Sequence, residues 1–509
     1  MKKAASPGFL GANGVAAPTR DIPSSSIGEF AIALVDHVSS GRRVSALFAE
    51  PDGPSLQMTA VLSDDAFNLV YLLRTRLDDP VFPSLTPKCP QVHLFEREIA
   101  EQYGVRPEGH PWFKPVRFHR SWRPGRDAWG RPDASDPVVG VTDFYRVEGD
   151  EIHEVAVGPV HAGVIEPGHF RFQCHGEEVF HLEISLGYQH RGVERALPGG
   201  PTKRSIHMLE TVAGDTTIGH ATAYCENLES LAGCRVPPRA QALRAVALEL
   251  ERLANHTGDL GALANDVGYL PTASFCGRLR GDFLNLTALL CGSRFGRGLV
   301  RPGGVGFDVD AGRSAEFLKR LDEAERDVRN AVELLWETSS VMARFEGTGP
   351  VPKSVAEDLG LVGPAARAAG LNRDVRHDHP SGFFRYSHVP VATWHTGDVF
   401  ARAYVRWMEI QSSIAFVREQ LQALPGGGLR AEVGPLAPNR AAVALVEGWR
   451  GEVCHFVSTD PAGRFARYKI VDPSFHNWTA LAYSLRNQQI SDFPLCNKSF
   501  NLSYCGHDL

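Results

Sequence analysis

Nothing in this 509-residue sequence is lopsided in charge: 53 Lys and Arg stand against 59 Asp and Glu, a formal net charge of -6. Displacing counterions from nucleic-acid phosphates needs a basic excess, so nucleic acid is not an expected partner. Long hydrophobic runs are missing as well. No uninterrupted apolar stretch reaches the length of a membrane span, so any membrane contact is expected through partner proteins. The opening MKKAASPGFLGANGVAAPTR lacks the apolar core of a secretion signal. Cysteine is scarce and scattered: nine residues form neither a disulfide framework nor a single Cys-x-x-Cys pair. A reducing, cytoplasmic setting is expected, with each cysteine read alone as a small buried hydrophobe. The glycine-rich stretches PGGGLR and RPGGVGFD lack the Lys-Ser/Thr pair of a phosphate loop, and no dinucleotide fingerprint occurs.

What is there reads as an α+β chain: a small N-terminal α/β domain followed by a large helix-bundle domain with small antiparallel sheets. Residues 1–28, rich in Ala, Gly, Pro and Ser, read as a flexible tail. The α/β domain is expected over 29–119, with VSALFAE and LQMTAVL as strands. A helix is expected in SDDAFNLVYLLRTR, capped by Ser63 and spacing Phe67, Val70, Leu73 and Leu77 along one face. A second helix, PQVHLFEREIAEQYG, opens on Pro90 and stops at Gly104. Residues 120–137 read as a solvated linker or an arm across a partner, and 138–509 as the large domain. There EVAVGPV, HFRFQCH and VFHLEIS read as strands. Three long helical stripes follow, one of them unbroken for about eight turns from Ser314 to Phe345. Strands around GEVCHFVSTD and RYKIVDP and a short helix from Trp478 complete the pattern.

From Gly158 onward, GPVHAGVIEPGHFRF, LGYQHRGVE, VPPRAQALRAVALELERLANH, RPGGV, VEGWRGE and KIVDPSFHNW resemble the shared core of two related families. These are the large subunit of membrane-bound [NiFe] hydrogenases of the formate hydrogenlyase type and the 49-kDa quinone-site subunit of respiratory complex I. HLFEREIAEQYGVRPEGHP is similar to the signature of the 30-kDa complex I subunit, fused at the same end in formate hydrogenlyase-type proteins. The resemblance implies a peripheral position on the inner face of a membrane complex. Its implied partners are a small subunit holding a [4Fe-4S] cluster and the membrane-arm subunits.

In the hydrogenases two Cys-x-x-Cys pairs hold nickel, soft thiolates suiting a soft metal. Here those positions align with Ala213 and Thr216, and with Ser503 and Gly506, while Cys505 lies one residue out of register. The resemblance therefore implies a cavity without nickel and with no cofactor held by cysteine. Hydrogenases of this type carry an extension that is cleaved after metal insertion, and a chain stopping at Leu509 would need no such processing. The complex I subunit uses the equivalent cavity for a quinone headgroup, held by a histidine and a tyrosine. His169 matches that histidine, with His161 at the far end of a longer loop, whereas the tyrosine position is Gly214. Asp215, Thr216 or His220 would then have to replace the phenol, unless Asp215 only pairs locally inside the bundle. His190 and Arg191 correspond to the motif packed against the partner's cluster, where a cation or donor stabilises the electron-rich form. Arg450 corresponds to the arginine over the hydrogenase centre. Ordinary ion pairs with Glu194 and Glu452 are the competing readings for the two arginines. Three functions follow: electron transfer from a partner cluster to quinone or another small acceptor, a non-catalytic coupling scaffold, and a nickel hydrogenase with an unusual ligand set.

Overall fold

The computed structural model describes residues 8–131, 137–162 and 165–509. Positions 1–7 of the expected tail lie outside the described residues, but its remainder is no tail. Strands β1 (Phe9–Gly11) and β3 (Ser24–Ser25) extend the edge of one sheet, and β2 (Ala17–Pro18) extends another. Between them Asn13 is buried. Its Nδ2 donates to the carbonyls of His379 and Leu445 at 2.8 and 2.9 Å, and its Oδ1 accepts from the Leu445 N–H at 2.8 Å. Edge strands pair through backbone groups that any sequence supplies, which is why composition pointed elsewhere.

Helix α1 (Ile27–Ser39) starts at a capping box formed by Ser26 and Glu29. Strands β4 (Arg43–Asp52), β5 (Ser55–Asp64) and β6 (Leu69–Leu77) follow as an antiparallel meander. The expected helix from Ser63 is thus a hairpin. Ser63 lies within β5 and bonds Ser45 at 2.6 Å, Asn68 turns the chain at φ 54°, and Phe67 points outward, 71% exposed. The three- and four-residue spacing was coincidental, and the Asp and Asn residues around Phe67 carried the turn signal.

Helix α2 (His93–Tyr103) ends as expected at Gly104, with φ 65°. Its acids explain the HLFEREIAEQYG motif. Glu96 accepts from the Leu85 and Thr86 N–H groups, and Glu101 from those of Val116, Arg117 and Phe118. Glu98 bonds Arg117 and takes both oxygens to Lys469 at 2.7 Å. A Cβ on Gly104 would lie 2.6 Å from the Arg126 backbone. Residues 120–131 accordingly lie along their own chain rather than in solvent: the Trp122 N–H donates to Gln102 and Trp129 stacks on Phe113. The rest of that expected linker, 132–136, falls outside the described residues.

Strands β7 (Ile152–Val157), β8 (His169–His175) and β9 (Glu178–Ser185) form the expected antiparallel sheet. The bundle comprises α3 (Thr217–Ala232), α4 (Pro238–Asp266), α5 (Leu270–Cys291), α6 (Ala311–Glu337) and α7 (Val399–Gln422). The eight-turn stripe breaks at Thr338, whose extended backbone separates α6 from a short helix over Ser339–Phe345. A third sheet joins β10 (Arg440–Gly448), β11 (Gly451–Thr459) and β12 (Phe465–Val471) to β2. Helix α8 (Pro473–Ser484) starts before Trp478 because Asp472 caps it through the Ser474 N–H. Strand β13 (Gln488–Gln489) pairs with β9, and helices α9 (Phe493–Phe500) and α10 (Tyr504–Asp508) follow. One hydrophobic core holds Phe48 and Phe95 of the N-terminal unit against Phe456 of the third sheet and Phe475 of α8, at ring distances of 4.7 and 5.0 Å.

Candidate functional site at the start of helix α3

Three chain turns converge here: the approach to α3, the tight β10–β11 turn, and the end of β12 leading into α8. The C-terminal helix α10 lies against them. Asp215 and Arg450 form a bidentate pair at 2.6 and 2.8 Å, and Arg450 Nη1 also reaches Thr216 Oγ1 at 3.4 Å. The guanidinium rests 3.9 Å from the Trp449 ring centre, and the Trp449 indole N–H donates to the Asp215 carbonyl. Burial disfavours the Arg450 charge, but Asp215, with Asp472 and Asp259 nearby, more than compensates and raises its pKa. The Asp215 side chain remains 31% exposed, against 5% for Arg450.

One turn into α3, His220 is fully buried and bonds Asp472 at 3.1 Å through Nε2. Its Nδ1 lies 3.0 Å from Nε2 of His455, whose Nδ1 lies 3.0 Å from the Tyr468 hydroxyl. Burial, reinforced by His220, pushes the His455 pKa far down, so that ring is neutral. The four groups form one continuous hydrogen-bonded chain from Tyr468 through His455 and His220 to Asp472. Burial works to raise the Asp472 carboxyl, but His220 and Arg450 outweigh it and hold the pKa below the ordinary value. Glu251 caps α3 by accepting from the Ile218 and Gly219 N–H groups at 2.7 and 3.3 Å. Burial pushes its carboxyl up to about 8.

The other expected residues fall into place around this centre. Arg191 donates to the carbonyls of Thr211, Val212 and Cys505, at 2.6, 2.8 and 3.1 Å. Its expected partner Glu194 instead binds Arg467 and Lys469, and Glu452 binds Arg43 rather than Arg450. The ordinary-pair readings of both arginines are thereby replaced. His190 bonds the Asp508 carbonyl at 2.7 Å and stacks on His119 at 4.7 Å. Burial, with Arg117 and His119 alongside, lowers it to about 4, so of the expected cation or donor it can be only a neutral donor. His161 approaches from the loop side, 3.3 Å from the Tyr504 hydroxyl. His169 turns away, its ring accepting from Arg171 and resting 5.2 Å from Phe144. Sequence reasoning missed Asp472, His455, Glu251 and Glu166. The last accepts from the Tyr504 and Cys505 N–H groups at 3.0 and 3.3 Å.

Residues 266–435 and 431–508 match the family described as "Respiratory-chain NADH dehydrogenase, 49 Kd subunit", and residues 21–130 match its 30 Kd counterpart. Formate hydrogenlyase subunit 5 of Escherichia coli K12 is 31% identical over 437 residues, covering 84% of this chain and 76% of the relative. The carbon monoxide-induced hydrogenase of Rhodospirillum rubrum is 33% identical over 350 residues, covering 69% and 97%. The chain belongs to the hydrogenase and complex I 49-kDa subunit family. It carries the 30-kDa-type unit fused at its N-terminal side, among oxidoreductase subunits of the hydrogenase and complex I type. In fold it is similar to a chain of an archaeal membrane-bound sulfane sulfur reductase (TM-score 0.67, 23% identity), covering 72% of this chain and all of that one.

The residues at the family's nickel-ligand positions do not fit a thiolate-held centre. Ala213 has no donor atom, and Thr216 Oγ1 is already bonded to Arg450 and Asp215. Ser503 Oγ accepts the Gly506 N–H at 2.9 Å as the cap of α10. A Cβ on Gly506 would lie 2.6 Å from Cγ of Asp472, so the space of a cysteine side chain is taken by a carboxylate. Burial, with Glu166 reinforcing it, pushes the Cys505 thiol up to about 12, which keeps it protonated. Among the described residues no group of three or more His, Cys, Asp or Glu is arranged to hold a metal ion. No helix among them is long and apolar enough to cross a membrane.

Proposed function

We propose that this chain is the electron-accepting large subunit of a membrane-associated complex of the hydrogenase and complex I type, peripheral on the cytoplasmic face. A partner small subunit's [4Fe-4S] cluster supplies electrons near His190 and Arg191, and membrane-arm subunits complete the assembly. Quinone or another small acceptor is reduced at the metal-free site beside Asp215. One observation carries this reading: the Asp215–Arg450 pair, partly open at Asp215, is linked by short hydrogen-bonded steps to the loop that faces the cluster. Arg450 donates to the Asn501 carbonyl at 2.5 Å, the same C-terminal segment supplies the Cys505 and Asp508 carbonyls, and Arg191 and His190 bind those two. Full reduction of a quinone takes two electrons and two protons. Arg450 favours negative charge on the acceptor, and the buried His220–Asp472 pair lies one turn away for proton transfer.

A second reading rests on the same pair. Asp215 and Arg450 satisfy each other's charge fully, as they would in a scaffold whose site is vestigial. Reduced methyl viologen driving decylubiquinone reduction by the purified complex separates the two. Electron transfer predicts that Asp215→Asn and Arg450→Gln each lower turnover by about 100-fold while the complex stays assembled. Turnover unchanged in both variants establishes the scaffold. Stoichiometric nickel in the same preparation would restore the hydrogenase reading.

A further inference from the structure

A second cavity, of about 460 Å³, opens where α2 of the N-terminal unit meets β9 and α8. None of Asp215, Thr216, His220, Arg450 or Cys505 lines it. Trp112, Trp478 and Tyr483 give it aromatic walls. Its polar groups are what call for an occupant.

The end of β9 runs along the cavity, and His181, Glu183 and Ser185 are its polar lining residues there, with Leu182 and Ile184 between them. Ser185 is 7% exposed, yet its hydroxyl has no hydrogen-bond partner, and neither has His181 Nε2. Buried polar atoms in folded proteins are nearly always satisfied, so two unpartnered atoms on one wall mark a place where a ligand's polar group belongs. Facing them, Arg97 donates through Nε to the Lys114 carbonyl at 2.7 Å and through Nη2 to the Pro115 carbonyl at 2.9 Å. It forms no ion pair with any described carboxylate. Burial lowers its pKa to about 10, against the opposing pull of Glu101 and Glu183. Lys114 is different, being neutralised by Glu183 at 2.7 Å. Arg486 is at the exposed rim, lying over the Tyr483 ring. Among the described residues lining the cavity, Arg97 is therefore the inner cation with no carboxylate in ion-pair contact.

We propose that this cavity binds a compact organic anion, whose carboxylate pairs with Arg97 and is hydrogen-bonded by Ser185, and whose apolar body lies among Trp112, Trp478 and Tyr483. An aromatic acid from solution and a fatty acid released from the adjoining membrane share that chemistry. The proposal stands apart from the electron-transfer reading, since no residue of the Asp215 site takes part.

The test titrates the purified complex with 1-naphthoate and with decanoate, reading tryptophan quenching and calorimetric heat, with 1-naphthamide and decanamide as uncharged controls. Saturable binding of at least one acid, preferred over its amide by about ten-fold or more, is expected. Arg97→Gln should erase that preference and Arg97→Lys retain part of it. Ala482→Trp, which fills the cavity from α8, should abolish binding; it decides the matter even where the Arg97 variants do not fold. Naphthoate alone binding identifies the soluble source, and decanoate alone the lipid source. Equal binding of acid and amide, no saturable binding of either acid, or a map showing a partner's side chain filling the cavity overturns the proposal.

Discussion

Asp472 and Asp215 stand on the same site and each meets a nitrogen partner, yet the first is fully buried and the second is 31% exposed. Asp472 is held by His220 and by the Ser474 N–H, and it fills the space that a side chain at Gly506 would need. Asp215 is held by Arg450 and, more loosely, by the Thr216 hydroxyl, and its side chain is partly open to solvent. A buried carboxylate so enclosed is committed to the fold, because removing it strands its partner in a low-dielectric interior. An exposed one contributes less to stability and is free to meet a ligand. The comparison separates what the site is made of from what it can do.

The largest way to break it is Asp472→Ala. Loss of about 3–5 kcal/mol in denaturant unfolding of the full-length protein is expected; a loss no greater than that of Asp215→Asn would erase the distinction. Next is the pH dependence set by Glu251. Its folded-state pKa, about 8, lies above the usual carboxyl value, so the folded protein holds a proton that the unfolded chain gives up. Stability contributed by that proton is present in full near pH 4 and is lost as pH rises towards 8, by about 1.4 kcal/mol per unit and roughly 5 in all. Glu251→Gln should flatten this slope in thermal melts collected from pH 5 to 8. An unchanged slope would show that the carboxyl is ionised and that its capping of α3 is purely electrostatic.

Gly506→Cys restores one family ligand position, and its cost should be about 1–3 kcal/mol, since the new Cβ meets the Asp472 carboxylate. In an Asp472→Ala background the penalty should shrink, and a double-mutant cycle reads that coupling directly. Additive effects would mean that the backbone of α10 shifts instead. The smallest expected stability change is that of Asp215→Asn, about 1 kcal/mol, since Asn keeps one acceptor for Arg450. Measured beside the turnover assay, it sharpens the contrast: a large functional effect with a small structural one.

Much of this organisation was legible. Apolar stripes placed the bundle helices, alternation placed β8 and β9, and quoted motifs placed Arg450, His190 and Arg191 around one centre. What stayed hidden depended on long-range pairing. Nothing local singles out Asp472, whose partner His220 is 252 positions away. His455 read as one residue of an apolar strand, with nothing local to mark it as His220's neighbour. The α1 capping box, Ser26 with Glu29, was readable and was passed over because the surrounding composition suggested a tail. For His169 motif alignment fixes the place on β8, but not that its ring accepts from Arg171 and rests beside Phe144.

The buried Asn13 has a consequence for how the chain is made. Its hydrogen-bonding partner Leu445 lies 432 residues later, so the arm leaves the ribosome long before the strand that receives it. At about 5–20 residues per second the delay is roughly 20 to 90 s. Throughout that interval β10 is still unmade, and nascent-chain binding factors have their longest opportunity to engage the waiting arm.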